Sequence, residues 1–184
     1  MNSGVPTASV LMPVYNGRDL VLEAVRSVLE QTFDDFEFII IDDGSDDGTS
    51  QLLESVRDPR VRILHNPQNL GLASSLKRGL DEARGEFVAR MDHDDFAFPE
   101  RLEKQIEFLR TNPGYVAVGC QLAVTEDSKE YLWRWPVGDL DIRWQLLFDT
   151  ALSHPGLLGR TAAFRAAGGY DDTKAYPEDY DLEC

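Results

Sequence analysis

Three short runs constrain this chain more than anything else in it: ASVLMPV at 8–14, FEFIIID at 36–42 and GEFVARMD at 85–92. Each is nearly continuous in apolar, largely β-branched residues and stops abruptly at polar or acidic ones. A continuous run, unlike an alternating one, suits a strand that is covered on both faces. Between the runs, RDLVLEAVRSVLEQ carries Leu20, Ala24, Val25, Val28 and Leu29 at helical spacing, and LGLASSLKRGLDEAR carries Leu72, Leu76 and Leu80. VRILH at 61–65 supplies a fourth strand. Strands alternating with helices of this length predict an α/β fold, a mostly parallel sheet with helices on both faces.

Open parallel sheets bind ligands in the crevice outside the carboxyl ends of their strands. The densest polar clusters of the chain fall there: PVYN after the first strand, DDGSDD after the second and DHDD after the strand at 86–91.

Past Pro99, PERLEKQIEFLR predicts a helix with proline at its first position. Then YVAVGCQLAVT (115–125) and EYLWRWP (130–136) read as two strands parted by the turn-like EDSK, and DLDIRWQLLFD (139–149) returns to helical spacing. SHPGLLGR, a short helix TAAFRAA closed by Gly168 and Gly169, and the acidic PEDYD complete the chain. No repeat or linker interrupts it, so 1–184 reads as a single domain, with about 8–112 forming a ligand-binding half and about 113–184 a second half. PEDYDLEC opens a helix and stops within about two turns, without a capping glycine, so the chain reads as part of something longer.

A net charge of −15 argues against a nucleic-acid binder, because phosphate backbones are held by a surplus of lysine and arginine. It does not exclude a nucleotide held through a metal, where clustered carboxylates help. Cys120 and Cys184 are too few for a disulfide framework or a zinc site. The N-terminal MNSGVPTASVLMPVYNG lacks a basic segment followed by a long apolar one, and no stretch reaches the roughly 18 apolar residues of a membrane span. A cytoplasmic location is the expectation, with the cytoplasmic face of a membrane as an alternative.

IIIDDGSDDGTSQLLE matches a calcium loop at five positions: Asp43, Ser45, Asp47, Gly48 and Glu54. Its lead-in is a strand and not a helix, Ser50 takes a position usually apolar, and no second loop exists to pair with it. Asp46, Asp47 and Thr49 then start the next helix, and Asp42 and Asp43 are left at the ligand-binding edge. RMDHDDFAFPERL places Asp92, Asp94 and Asp95 within four residues. Like charges so close raise one another's pKa unless a cation neutralises them. Mg²⁺ or Mn²⁺ suits such a site better than calcium, because these ions take one or two carboxylates and fill the remaining positions with water and phosphate. A solvated acidic turn is the competing reading.

SVLMPVYNG, IIIDDGSDDGT, NLGLASSLKRGLDEARGEFVARMDHDD, GGYDD and PEDYDL, in this order and spacing, resemble the nucleotide-sugar domain of family-2 glycosyltransferases from about Ser9 to the last residue. The resemblance implies a GT-A fold, Rossmann-like, with a smaller acceptor-side region cut short after Glu183 and Cys184. It also implies an inverting transfer from a nucleotide-diphosphate sugar, with a UDP-sugar preferred, to a hydroxyl of a saccharide or glycolipid acceptor. Mg²⁺ or Mn²⁺ would assist, and cell-envelope polysaccharide or glycoconjugate synthesis would be the setting.

Residue by residue, the resemblance gives Pro13 and Tyr15 the base pocket and Asp43 a hydrogen bond from the base, with Asp42 the weaker candidate. Asp92 and Asp94 form the D-x-D pair, Asp92 near the ribose or the metal waters and Asp94 on the metal, with Asp95 behind them. Asn69 and Gly71 lead the segment that passes the nucleotide. Asp179 is the catalytic base, and Glu178 and His154 contact acceptor or phosphate. His93 reads as a variable spacer. Trp133, Trp135 and Trp144 suit core packing better than a sugar platform. Two alternatives stand beside this one. A sugar-nucleotide pyrophosphorylase-like enzyme would want a glycine-rich, basic loop where PVYNGRDL has one glycine and one arginine. A non-catalytic nucleotide- or calcium-binding module is the other.

Overall fold

The computed structural model describes residues 4–126 and 129–173. Four strands, β1 (Ala8–Val14), β2 (Phe36–Asp42), β3 (Val61–His65) and β4 (Phe87–Arg90), run parallel. The sheet has the order β3-β2-β1-β4-β8-β5, where β5 is Ala117–Val118 and β8, Leu158–Arg160, lies antiparallel to both β4 and β5. A separate hairpin joins β6 (Leu122–Glu126) to β7 (Lys129–Trp133).

Helices cover both faces, as the continuous apolar strands require. α1 (Val21–Leu29), α2 (Thr49–Glu54) and α4 (Arg101–Thr111) pack on one face through Ala24, Val28, Leu53, Leu102 and Ile106. α3 (Leu72–Glu82) and α6 (Thr161–Ala166) pack on the other through Leu76, Leu80 and Phe164. α5 (Asp139–Gln145) buries none of its residues.

Glu37 interrupts an otherwise apolar strand yet is buried. Burial raises its pKa, but hydrogen bonds from Arg84, Ser9 and Arg62 outweigh that and hold the carboxyl below its usual range. This network ties β1, β2, β3 and the end of α3 together at the edge opposite the polar loops.

Proline in a central strand is unusual, because it cannot donate to the ladder. Pro13 is tolerated because the β1–β4 register ends at Leu11. Met91 N donates to Leu11 O on that side, while Asp43 N donates to Val14 O on the other. By alternation, Pro13 turns its nitrogen to the side where β4 has already left. β1 and β4 therefore part at their carboxyl ends. That is also where the topology switches direction, with β2 and β3 laid to one side of β1 and β4 to the other.

Three expectations need correction. The run at 115–125 is not one strand: it breaks at Gly119–Gln121 and divides between the main sheet and the hairpin. Pro99 precedes the helix cap at Glu100 and is not the first helical residue. Trp133 and Trp144 are not core residues; they are 59% and 68% exposed, on the hairpin and on α5. Periodicity marks which face of an element is apolar and says nothing about whether a partner covers it.

Candidate functional site

At the carboxyl edge, the loops after β1, β2 and β3 are stitched to one another. Asn16 N donates to Ser45 Oγ at 3.0 Å, and Asp46 N returns a bond to Asn16 Oδ1 at 3.0 Å. Arg18 N donates to Asp47 Oδ2, and Asp47 Oδ1 takes the backbone and hydroxyl of Thr49 at the start of α2. Asp47 is thus a structural residue, as expected, and Glu54 lies on α2, so the calcium pattern describes a strand end and a helix start. Gly44, at φ +75°, brings its α-carbon so close to the backbone of Gln68 that a Cβ there would lie 2.4 Å from the Gln68 carbonyl carbon.

Asp42 and Asp43 differ in what their carboxylates have left to offer. Asp42 is 1% exposed and turned inward; it accepts from Ser45 N, Ser50 Oγ and His65 Nδ1. Burial raises its pKa, and these hydrogen bonds, Ser50 and Ser45 foremost, more than offset that and leave the carboxyl below its usual range. Asp43, 4% exposed, accepts from Asn66 Nδ2 and Leu70 N at Oδ1 and from Gly71 N at Oδ2. A carboxylate has about four acceptor positions. Three are filled here, leaving one on Oδ2. Asn69 Oδ1 also accepts from Gly71 N, so Asn69 and Gly71 shape the same turn.

On the other side of the β1–β4 notch lies the acidic loop. Arg90, the last residue of β4, is 3% exposed and its Nη1 is ion-paired with Asp92 Oδ2. Asp94 is exposed. Asp95 sinks behind them; burial, then the charges of Asp92 and Asp94, push its carboxyl above its usual range. The loop is held at its far end by Gln31 at the end of α1. Gln31 donates to Ala97 O and Phe98 O and accepts from Leu102 N. At its near end His93 lies on Gly17, where an added Cβ would come 2.4 Å from the imidazole Cδ2. His93 is therefore a packing contact between the acidic loop and the β1 loop, and a Cβ at 17 would displace it and meet Val14 Cγ2 at 2.8 Å.

Tyr15 is half-exposed on the rim of the notch, and Pro13 is buried within β1. His154, 6% exposed, meets Tyr170 Oη through Nε2 at 3.1 Å. Burial, and next the charge of Arg90, push its pKa down to about 3. An unfolded histidine, titrating near 6.5, takes up a proton in a range where the folded one does not. The stability due to neutral His154 is therefore complete above about pH 6.5 and falls away as pH drops toward about 3. Urea midpoints between pH 7.5 and 5 should fall with acid in the wild type, and His154→Gln should flatten that slope.

The structure gathers Pro13, Tyr15, Asp42, Asp43, Asp92, Asp94 and His154 around one edge. Glu178 and Asp179 lie outside the described residues. Arg90, Asn66 and Tyr170 were not singled out from the sequence. A signal for Arg90 existed, since a charged residue in the buried run FVARMD needs a partner close by. Among the described residues no three His, Cys, Asp or Glu side chains converge as a metal cage. The donor set still suits Mg²⁺ or Mn²⁺, which need one or two carboxylates and complete their shell with phosphate and water.

The family model for glycosyl transferase family 2 matches residues 9–167. The chain belongs to that family. It is 33% identical over 191 residues to the putative glycosyltransferase EpsE of Bacillus subtilis, covering 99% of this chain and 66% of EpsE. It is 39% identical over 111 residues to the putative teichuronic acid biosynthesis glycosyltransferase TuaG of the same organism, covering 59% and 44% of the two chains. Its fold matches S. aureus TarS 1–349 in complex with UDP, with a TM-score of 0.76 at 23% identity over 96% of this chain and 53% of TarS. It also matches the mannosyltransferase PcManGT of Pyrobaculum calidifontis in complex with GDP-Man and Mn²⁺, with a TM-score of 0.73 at 20% identity, over 97% and 51%. The fold is of the GT-A type. The family-2 chain spans about half to two thirds of the length of these full-span relatives. No helix among its described residues is long and apolar enough to cross a membrane.

Proposed function

We propose that this chain carries the donor-binding region of an inverting glycosyltransferase that moves a sugar from a nucleotide-diphosphate sugar, a UDP-sugar first among them, to an acceptor hydroxyl. The observation that carries the reading is the notch between β1 and β4. It lies at the topological switch point, with the Tyr15 loop and the Asp43 loop on one side and the acidic loop on the other, closed against each other through His93 and Gly17.

In this reading the base sits by the Tyr15 ring and gives its ring N–H to the remaining position on Asp43 Oδ2. Asp42 supports that loop from behind. Asp94 would hold Mg²⁺ or Mn²⁺, with Asp92 near the ribose or the metal's waters, and the ion when bound supplies charge neutralisation to the leaving diphosphate. An acceptor hydroxyl oxygen forms its bond to the anomeric carbon as the bond to the diphosphate breaks on the opposite face. Asp179 takes the hydroxyl proton, and Glu178 and His154 border the phosphate or acceptor. Exposed Trp133, stacked on Trp135 with ring centroids 6.1 Å apart, offers a flat face for a saccharide acceptor. Cell-envelope polysaccharide synthesis is the setting suggested by what TuaG is named for. TarS in complex with UDP and UDP-GlcNAc, and PcManGT with GDP-Man and Mn²⁺, support a nucleotide-sugar donor and a divalent ion.

A melting-curve screen of UDP-, GDP- and TDP-sugars with and without Mn²⁺ tests the reading. At about 100-fold over Kd a ligand adds about 2.7 kcal/mol of stability. That gain should appear with a uridine nucleotide only when the metal is present. An unchanged curve at millimolar UDP and Mn²⁺ refutes the donor assignment.

A further inference from the structure

Arg90 is a buried cation at the mouth of the notch. Val88, two residues before it on β4, packs into the core shared with α3 and α6, and strand alternation puts Arg90 on that same face, toward buried His154. A guanidinium taken out of water is costly unless it is paired. Its Nη1 lies against Asp92 Oδ2 as an ion pair, and neither Nε nor Nη1 makes a directed hydrogen bond among the described residues. Asp92 is thus the carboxylate in direct contact with the buried charge, with Asp95 acting on it from farther off. Asp94, two residues further on, is exposed, and no hydrogen bond or ion pair engages its side chain among the described residues.

The two acids of the D-x-D pair are therefore unequal. Taking Asp92 as a ligand of a hard cation would cost Arg90 its direct ion-pair partner and set a second positive charge beside it, with only the more distant Asp95 left to offset it, whereas taking Asp94 has no such cost. We infer that Arg90 is a positioning residue that reserves Asp92 from the metal, so that a divalent ion rests on Asp94 and on the donor's diphosphate and binds only weakly to the protein alone. This rests on the donor reading above. Its consequence is an order of events: the metal arrives with the nucleotide, and the acidic loop does not collect free Mg²⁺ or Mn²⁺ on its own.

Titrating Mn²⁺ into the protein, alone and then with saturating UDP, tests this without measuring transfer. In the wild type, UDP should tighten Mn²⁺ binding by at least about tenfold, since the phosphates complete the coordination shell. Arg90→Gln frees Asp92 and removes a positive charge, so Mn²⁺ alone should bind on the order of tenfold tighter and the dependence on UDP should shrink. Arg90→Lys keeps the charge but loses the planar fork, and should give a smaller shift in the same direction. It supplies the reading if the glutamine variant does not fold, as judged by its urea midpoint. A purely structural arginine would lower that midpoint without tightening the metal. Unchanged Mn²⁺ affinity in a folded Arg90 variant, with wild-type coupling to UDP intact, overturns this inference and leaves the donor reading standing. Absence of Mn²⁺–UDP coupling in the wild type overturns the metal assignment and this inference with it.

Discussion

Asp94→Ala should abolish the metal-dependent stabilisation by UDP while leaving the fold unchanged. Asp94 is exposed, so its removal opens no cavity and strands no buried partner. Its effect falls on the ligand alone. In the wild type, UDP at about 100-fold over Kd in the presence of Mn²⁺ should raise the melting temperature by roughly 5–10 °C for a chain of this size. In Asp94→Ala that rise should vanish, while the melting temperature without ligand stays within about 2 °C of the wild type, as expected for a surface substitution. A full rise retained in Asp94→Ala would move the metal to another carboxylate. Asp43→Ala makes an instructive contrast. It removes three hydrogen bonds from the Asn66–Gly71 turn, so it should lower the melting temperature even without ligand.

Asp179→Ala should act on the chemistry and spare binding. The inverting transfer proposed above needs a proton acceptor on the face of the sugar away from the leaving group, which would make the base and the diphosphate site separate acidic centres. Loss of a positioned base costs on the order of 10²–10⁴-fold in kcat. In the whole protein, steady-state transfer should fall by that factor while the UDP-dependent rise in melting temperature and the donor KM stay near wild type. Loss of kcat with unchanged binding identifies a group used in the transition state. Equal loss of nucleotide binding would instead assign Asp179 to the donor site.

Much of the fold was legible because its signals are local. Nearly continuous, β-branched-rich runs at 8–14, 36–42 and 85–92 are too short for helices of a buried core and suit strands covered on both sides, and each contains a strand of the parallel sheet. The positions at which those runs stop pointed to the carboxyl edge, and Tyr15, Asp43 and Asp94 all lie there. The second half was less legible. A two-residue strand such as β5 leaves no periodicity to read, and the break at Gly119–Gln121 depends on which sheet each half joins. Trp133 and Trp144 misled for a related reason: an aromatic residue is equally apolar whether or not anything covers it.

The sequence by itself determined the strand–helix alternation, the acidic composition of the loops and the ordered motifs that mark the family, because each depends on residues near one another in the chain. Only the tertiary structure decided how the carboxylates are used. Asp42 is drawn inward by Ser50 and His65, and Asp43 is three-quarters occupied by a turn more than twenty residues away. Asp92 is claimed by Arg90, and Asp94 is left exposed. Four aspartates that look alike in one dimension differ here because a carboxylate's chemistry is set by the donors that converge on it, and those arrive from other strands and loops.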